Sequence, residues 1–186
     1  MTTTGTRGRL SVQDWLEAGF SLLAEAGRPA LTIDRLCAQL GVTKGSFYWH
    51  FTGMAGYRSA LIEAWAQQRG RELPIHRAGP DHPPRERLSM MTEALLHPRH
   101  WKLERAMREW ARTDPAVAAS VTAGDRRARK AVRQAFLDLG FEAAEADLRA
   151  QLTFAAGMGF LQMANNSAHP MPVAQRERVL DFMTRP

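Results

Sequence analysis

The sequence predicts an all-α protein, a small N-terminal three-helix unit followed by a larger helical body. Three observations predict it. Apolar residues recur almost throughout with the 3.6-residue period of amphipathic helices. No useful length alternates apolar and polar residues with period two, as a half-buried strand would. Residues 70–84 interrupt the helical pattern with four prolines and two glycines, the composition of a loop. Of all breaks in the chain this loop reads most as a domain boundary, although the three-helix unit itself closes earlier. The expected domains are 1–56 and 57–186, linked by a fourth helix at about 53–70.

The elements follow in order. Between Ser11 and Gly27 the apolar set Val12, Trp15, Leu16, Gly19, Leu22, Leu23 and Ala26 forms one helical stripe. Ser11 with Asp14 has the spacing of a capping box, and Gly27 ahead of Pro29 ends the helix. Thr32 is placed to cap a short second helix whose buried face is Ile33, Leu36, Cys37 and Leu40. Gly41 breaks it, and Thr43 is placed to cap a third helix carrying Phe47 and Phe51 inward. The fourth helix has Tyr57, Leu61, Ile62 and Trp65 as its apolar edge. Beyond the loop, helices are expected at about 85–97, 99–112, 115–139, 142–166 and 172–184. Asp114-Pro115 reads as an N-cap with proline in the first turn, His97-Pro98-Arg99-His100 as a helix break, and Gly140 as a helix end.

Composition narrows the class. Of 186 residues, 45 % are hydrophobic and 24 % charged, an ordinary globular mixture with enough chain for a real core. Cys37 is the single cysteine, which excludes a disulfide framework and a thiolate zinc site. The longest nearly uncharged apolar run, Leu152 to Ala164, is shorter than the roughly 20 residues that cross a bilayer. The first ten residues lack the apolar centre of a signal peptide. A cytoplasmic protein is expected. The net charge is +6, but residues 1–58 hold six basic and four acidic side chains, so charge permits nucleic-acid binding without locating it.

The pattern at residues 31–51 locates it. Two short helices around a glycine turn make a helix-turn-helix. Cys37 must be small because the second helix crosses over it, and Gly41 supplies the left-handed turn. Val42 and Phe47 are expected to bury against the first helix of the pair. Thr43, Lys44, Gly45, Ser46, Tyr48, Trp49 and His50 are then expected to project from one short surface helix. Donors, acceptors and flat aromatics there suit base edges and flanking phosphates of a major groove. Packing alone accounts poorly for an exposed Tyr-Trp-His run, since large aromatics are normally buried.

The run Leu31-Thr32-Ile33-Asp34-Arg35-Leu36-Cys37-Ala38-Gln39-Leu40-Gly41-Val42-Thr43-Lys44-Gly45-Ser46-Phe47-Tyr48-Trp49-His50-Phe51 resembles the DNA-binding signature of the tetracycline-repressor (TetR) family of transcriptional regulators. The resemblance implies a homodimeric all-α regulator, a repressor that a small apolar or amphipathic ligand releases from a palindromic operator. It implies a C-terminal domain that binds the ligand and dimerises through the last two long helices, about 142–166 and 172–184. Carried over by position, the candidate DNA-contacting residues are Thr32, Thr43, Lys44, Gly45, Ser46, Tyr48, Trp49 and His50. Thr43 would cap the recognition helix and face phosphate, Lys44, Gly45 and Ser46 would meet bases, and Tyr48 and His50 phosphates. Trp49 would abut the backbone or a thymine methyl. The sequence departs from the family after Phe51: Thr52-Gly53-Met54 stands where many members carry a phosphate-holding lysine, and Arg58, Arg7 and Arg9 are candidates to replace it. That departure motivates an alternative, a ligand-binding or interaction protein whose helix-turn-helix no longer reads DNA.

In the body, Met90, Met91, Leu95, Leu96, Trp101, Leu103, Met107 and Trp110 recur at helical spacing. Core packing explains most of them. Met91, Leu95, Trp101, Met107 and Trp110, with Phe154 and Met158, are the candidate lining of a ligand pocket, where adaptable Met and flat Trp suit apolar ligands. Glu104, Arg105, Arg108 and Glu109 read as i, i+4 pairs on a solvated face. The segment Leu152–Ala164, apolar all round, must bury more than one side, and small residues along it favour close packing between subunits. Cys37 reads as a core residue rather than a redox sensor. His76, His82, His97 and His100 share no ligand-type spacing with a carboxylate or thiolate, so no metal is expected. No cofactor and no enzymatic activity are expected, because nucleophile–base pair, phosphate loop and zinc cluster are all lacking.

Overall fold

The computed structural model describes residues 10–72, 82–163 and 171–185, and all its regular elements are helical. The helices are α1 (Val12–Ala26), α2 (Ile33–Leu40), α3 (Lys44–His50), α4 (Met54–Glu72), α5 (Pro84–Leu96), α6 (Pro98–Ala111), α7 (Pro115–Asp138), α8 (Ala143–Met163) and α9 (Val173–Thr184). Each expected helix is found, with ends within a few residues of those expected. One 3-10 turn, Arg28–Ala30, follows α1. Two compact units divide between Ala64 and Trp65, inside α4, rather than at the proline-rich segment. Of that segment, residues 73–81 lie outside the described residues. Gly70 does not end α4, which continues to Glu72, because a mid-helix glycine costs only about 1 kcal/mol.

Local chemistry accounts for the helix ends of the first unit. Ser11 and Asp14 form the complete capping box of α1. In its core, Trp15, Leu23, Leu36, Phe47, Tyr57 and Leu61 are fully buried. The Tyr57 hydroxyl donates to the Trp15 carbonyl at 2.7 Å. Burial holds its pKa well above the ordinary tyrosine value, so it stays a donor. It passes over Gly19, where a Cβ would overlap the phenol oxygen.

The second unit holds two apolar clusters. Leu88 of α5, Val132, Ala135 and Phe136 of α7, Ala146 and Ala150 of α8 and Leu180 of α9 form the larger. Trp101 of α6 and Leu161 of α8, with Leu95 and Met158, form the smaller. Asp114 caps α7 through the Ala116 and Val117 amides, as its Asp-Pro pair predicts.

One expectation is overturned here. Glu104 is not on a solvated face: only 8 % exposed, its carboxylate lies 2.9 Å from Arg69 of α4 and 2.8 Å from Arg108. Asp125 of α7 completes the group, accepting from Arg69 Nη2 at 2.8 Å and Arg108 Nη1 at 3.0 Å. Arg69 Nη1 also donates to the Val121 carbonyl at 3.2 Å. Two cations and two anions balance, and such a group holds together because each partner leaves no charge stranded. The guanidinium lies on α7 at Gly124, where any Cβ would overlap it. Glycine leaves room for Arg69 in this position. Helical periodicity of α6 alone cannot reveal partners contributed by α4 and α7.

Burial opposes ionisation of Asp125, but the hydrogen bonds from Arg108 and Arg69 outweigh it and hold its pKa below the ordinary value. A carboxylate with a lowered folded pKa stabilises the fold above its unfolded pKa, about 3.9. That contribution is lost as pH falls through the lower folded value. Asp125→Asn is therefore expected to lose about 2 kcal/mol at neutral pH. It should also show a shallower acid-dependent loss below about pH 4. Urea unfolding at a series of pH values checks both, and a mutant with the parent's stability would remove the network from the stability of the body.

Candidate nucleic-acid interface

Two caps and one turn set the geometry of the helix-turn-helix. The Thr32 hydroxyl accepts from the Arg35 amide at 3.3 Å and starts α2. Gly41 ends it at φ 67° and ψ 38°, the left-handed conformation that favours glycine. The Val42 amide then donates to the Cys37 carbonyl at 3.0 Å, turning the chain back over α2. Cys37 is buried beneath that turn, and burial, with Asp34 nearby, pushes its thiol pKa up, which keeps it an unreactive core residue.

Phe47 anchors α3. Fully buried, it has ring centroids 5.5 Å from Trp15, 5.3 Å from Phe51 and 5.7 Å from Tyr57. Burying that side turns the other outward. Tyr48 is 59 % and Trp49 63 % exposed, and Thr43, Lys44 and Gly45 are also exposed. Two candidates differ from the outward projection expected of them. Ser46 is half-buried, and so is His50, whose ring lies 6.1 Å from Trp15 and edge-on to Trp49 at 4.6 Å.

Thr43 is the N-cap of α3 by position, but its side chain makes no capping hydrogen bond. The expected cap is absent, and the residue is exposed. At Gly45 a Cβ would make only an ordinary contact, 3.6 Å from Thr43 Oγ1, so the fold has room for a larger residue. Lys44 carries the single Lys or Arg charge of α3, and its ammonium lies 2.7 Å from Asp34 of α2. After Phe51, α4 opens at Met54 with no acidic residue in its first turn. Arg58 is half-buried with its Nε unpartnered among the described residues, while Arg7 and Arg9 lie outside them.

The residues expected to line a pocket are distributed over the second unit. Leu95, Trp101 and Met158 meet in the smaller cluster, whereas Met91 packs on the larger one. Trp101, Met107 and Trp110 are fully buried. Trp110 Nε1 donates to Asp114 at 3.2 Å, but Trp101 Nε1 finds no acceptor among the described residues. Phe154 is half-buried under the Arg129 guanidinium, 5.7 Å from its ring centre. A surface cleft between α5 and α9 is lined instead by Ser89, Thr92, Glu93, Val173, Arg176, Glu177 and Leu180. On α8 and α9, Leu148, Leu152, Met163, Val173 and Phe182 are large apolar side chains left exposed. Among the described residues there is no cluster of metal-ligand side chains, and no helix is long and apolar enough to cross a membrane.

An all-helical chain with a helix-turn-helix head and a helical body has the architecture of a class of DNA-binding transcriptional regulators. Residues 16–60 match the model of the bacterial regulatory proteins of the tetR family. That match spans the helix-turn-helix and most of the first unit. Its fold resembles a transcriptional regulator from Rhodococcus sp. Rha1 (TM-score 0.77, 20 % identity, 94 % of each chain). It also resembles the regulatory protein TetR from Rhodobacter sphaeroides (TM-score 0.72, 22 % identity, 92 % of this chain and 97 % of that one). A third similar structure, from Saccharomonospora viridis, is a complex with choline (TM-score 0.75, 14 % identity, 92 % and 94 %). No curated protein sequence matches the chain.

The two threonines separate structure from function. Thr32→Ala should cost the first unit about 1 kcal/mol, the usual loss of a working N-cap, whereas Thr43→Ala should cost far less. Thermal unfolding followed by circular dichroism checks the contrast, and equal losses would mean that Thr43 supports α3 after all.

Proposed function

We propose that this regulator is a homodimeric repressor that reads a palindromic operator through α3 and is released by a small ligand bound in its body. The observation that carries the DNA reading is the outward face of α3. Tyr48 and Trp49 stand exposed beside Lys44, Thr43 and Gly45, while Phe47 buries the opposite side. Gly45 deepens it: since the fold itself tolerates a Cβ there, close approach to a groove is the constraint that calls for glycine. Lys44, Gly45 and Ser46 then meet base edges, and Thr32, Thr43, Tyr48, Trp49 and His50 fix the register on the backbone. In the dimer the two copies of α3 sit about 34–36 Å apart, in successive major grooves.

The dimer reading rests on α8 and α9. Leu148, Leu152 and Phe182 are about half exposed or more, at 52 %, 50 % and 74 %, an unusual density of large apolar groups for a free surface. A two-fold interface built from these helices would cover them. The ligand reading rests on α6 and α8, where the buried Trp101 donor and Thr153 Oγ1 have no hydrogen-bond partner among the described residues. Leu95, Met158 and Phe154 would supply apolar lining, and the Saccharomonospora viridis neighbour holds choline. A ligand that binds better to the conformer with the wrong α3 spacing would release DNA.

Fluorescence anisotropy with a duplex that the protein selects from a random pool tests the DNA reading. The parent should bind it far more tightly than an unselected duplex, less so as salt rises. Lys44→Ala and Tyr48→Ala should each weaken that binding about tenfold while keeping the parent's helical signal. Failure of the parent to enrich any sequence would favour a helix-turn-helix that no longer reads DNA. For the dimer, sedimentation of Leu152→Glu should give a folded monomer where the parent gives a dimer. A mutant dimer as tight as the parent would place the interface elsewhere.

A further inference from the structure

Lys44 is the first residue of α3, where the partial positive charge of a helix N-terminus disfavours a cation. Asp34 sits in the first turn of α2, where the same end charge favours a carboxylate. Gly41 and the turn after it bring these two helix starts together, and the ammonium and carboxylate meet at 2.7 Å. The side chains are 61 % and 74 % exposed, so packing fixes neither. The pair leaves no net charge at the head of α3, the point that the DNA reading puts nearest the base edges.

We propose that Asp34 is an internal competitor of DNA for the Lys44 ammonium, and thereby a determinant of sequence discrimination. In the free protein, and on DNA of arbitrary sequence, Asp34 occupies the cation. The cation is released only to a base-edge acceptor placed to replace the carboxylate. Affinity for arbitrary DNA comes from neutralising phosphates, one counterion step per cation, so masking Lys44 lowers that affinity first. Discrimination rises because the unmasking cost is recovered only where a base acceptor stands in the right place. The inference rests on the reading of α3 as the recognition helix.

The test compares parent, Asp34→Asn, Lys44→Ala and the double variant by anisotropy on an unselected duplex over a range of KCl concentrations. Asn keeps the shape of the side chain and is compatible with a first helical turn. Asp34→Asn should tighten binding about two- to fivefold, the range for releasing an exposed ion pair. It should also steepen the slope of log affinity against log salt by about 0.9. Neither change should occur in the Lys44→Ala background. Asp34→Asn indistinguishable from the parent would overturn the proposal. So would equal tightening in both backgrounds, since Asp34 would then merely repel phosphate. Lys44→Ala on the selected duplex separates the two levels. If it weakens binding there while Asp34→Asn is silent, only this inference fails. If it leaves binding to the selected duplex unchanged, the recognition-helix reading falls with it.

Discussion

A helix of seven residues has no stability of its own in water, because nucleation costs more than its few hydrogen bonds return. α3 exists because Phe47 is driven into the ring cluster of Trp15, Phe51 and Tyr57. That burial sets which face of α3 is outward, and with it the placement of Lys44, Tyr48 and Trp49. The rest of the first unit serves the same anchor. The Tyr57 hydroxyl is tied to the Trp15 carbonyl, so the walls of the cluster belong to α1 and α4 and hold one another. A surface that reads DNA must be rigid before it binds, since each ordered side chain costs affinity when ordering is left to the complex.

In the second unit the comparable constraint is electrostatic. Arg69, Glu104, Arg108 and Asp125 come from α4, α6 and α7 and neutralise one another out of bulk water. An ion group of this kind often adds less net stability than an apolar cluster of equal volume, and its contacts are directional. Gly124 leaves the space that the Arg69 guanidinium fills. The C-terminal half of α4 is thus fixed to α6 and α7 by direction-dependent contacts, whereas α7, α8 and α9 meet through the apolar cluster around Phe136.

The surface of the protein divides by the same logic. Several charges on α5, α7 and α9 are paired between helices: Arg85 with Glu177 and Asp181, Arg87 with Asp138, Arg133 with Asp147. Exposed apolar bulk is concentrated on α8 and α9 and at Tyr48 and Trp49 of α3. Paired charge is at ease in water, while apolar bulk left outside marks where a further surface belongs. These two concentrations are the positions assigned to the second subunit and to DNA.

Most local features were legible in the sequence, the missing Thr43 cap excepted. The helix period, the Ser11–Asp14 box, the Asp114-Pro115 start and the Gly41 turn depend on residues within one or two turns of each other, so spacing alone reveals them. The dense signature from Leu31 to Phe51 likewise identified the helix-turn-helix. What was not legible required partners distant in the chain. His50 is drawn half inside by Trp15, 35 positions earlier in the chain. Glu104 looks solvated from α6 alone but is buried and paired with Arg69 of α4. The sequence determined which segments are helices and which faces are apolar, because those follow from short-range hydrogen bonding and periodicity. Only the tertiary structure decided which polar groups remain free to act, because a charge or hydroxyl is committed by whatever three-dimensional packing brings beside it.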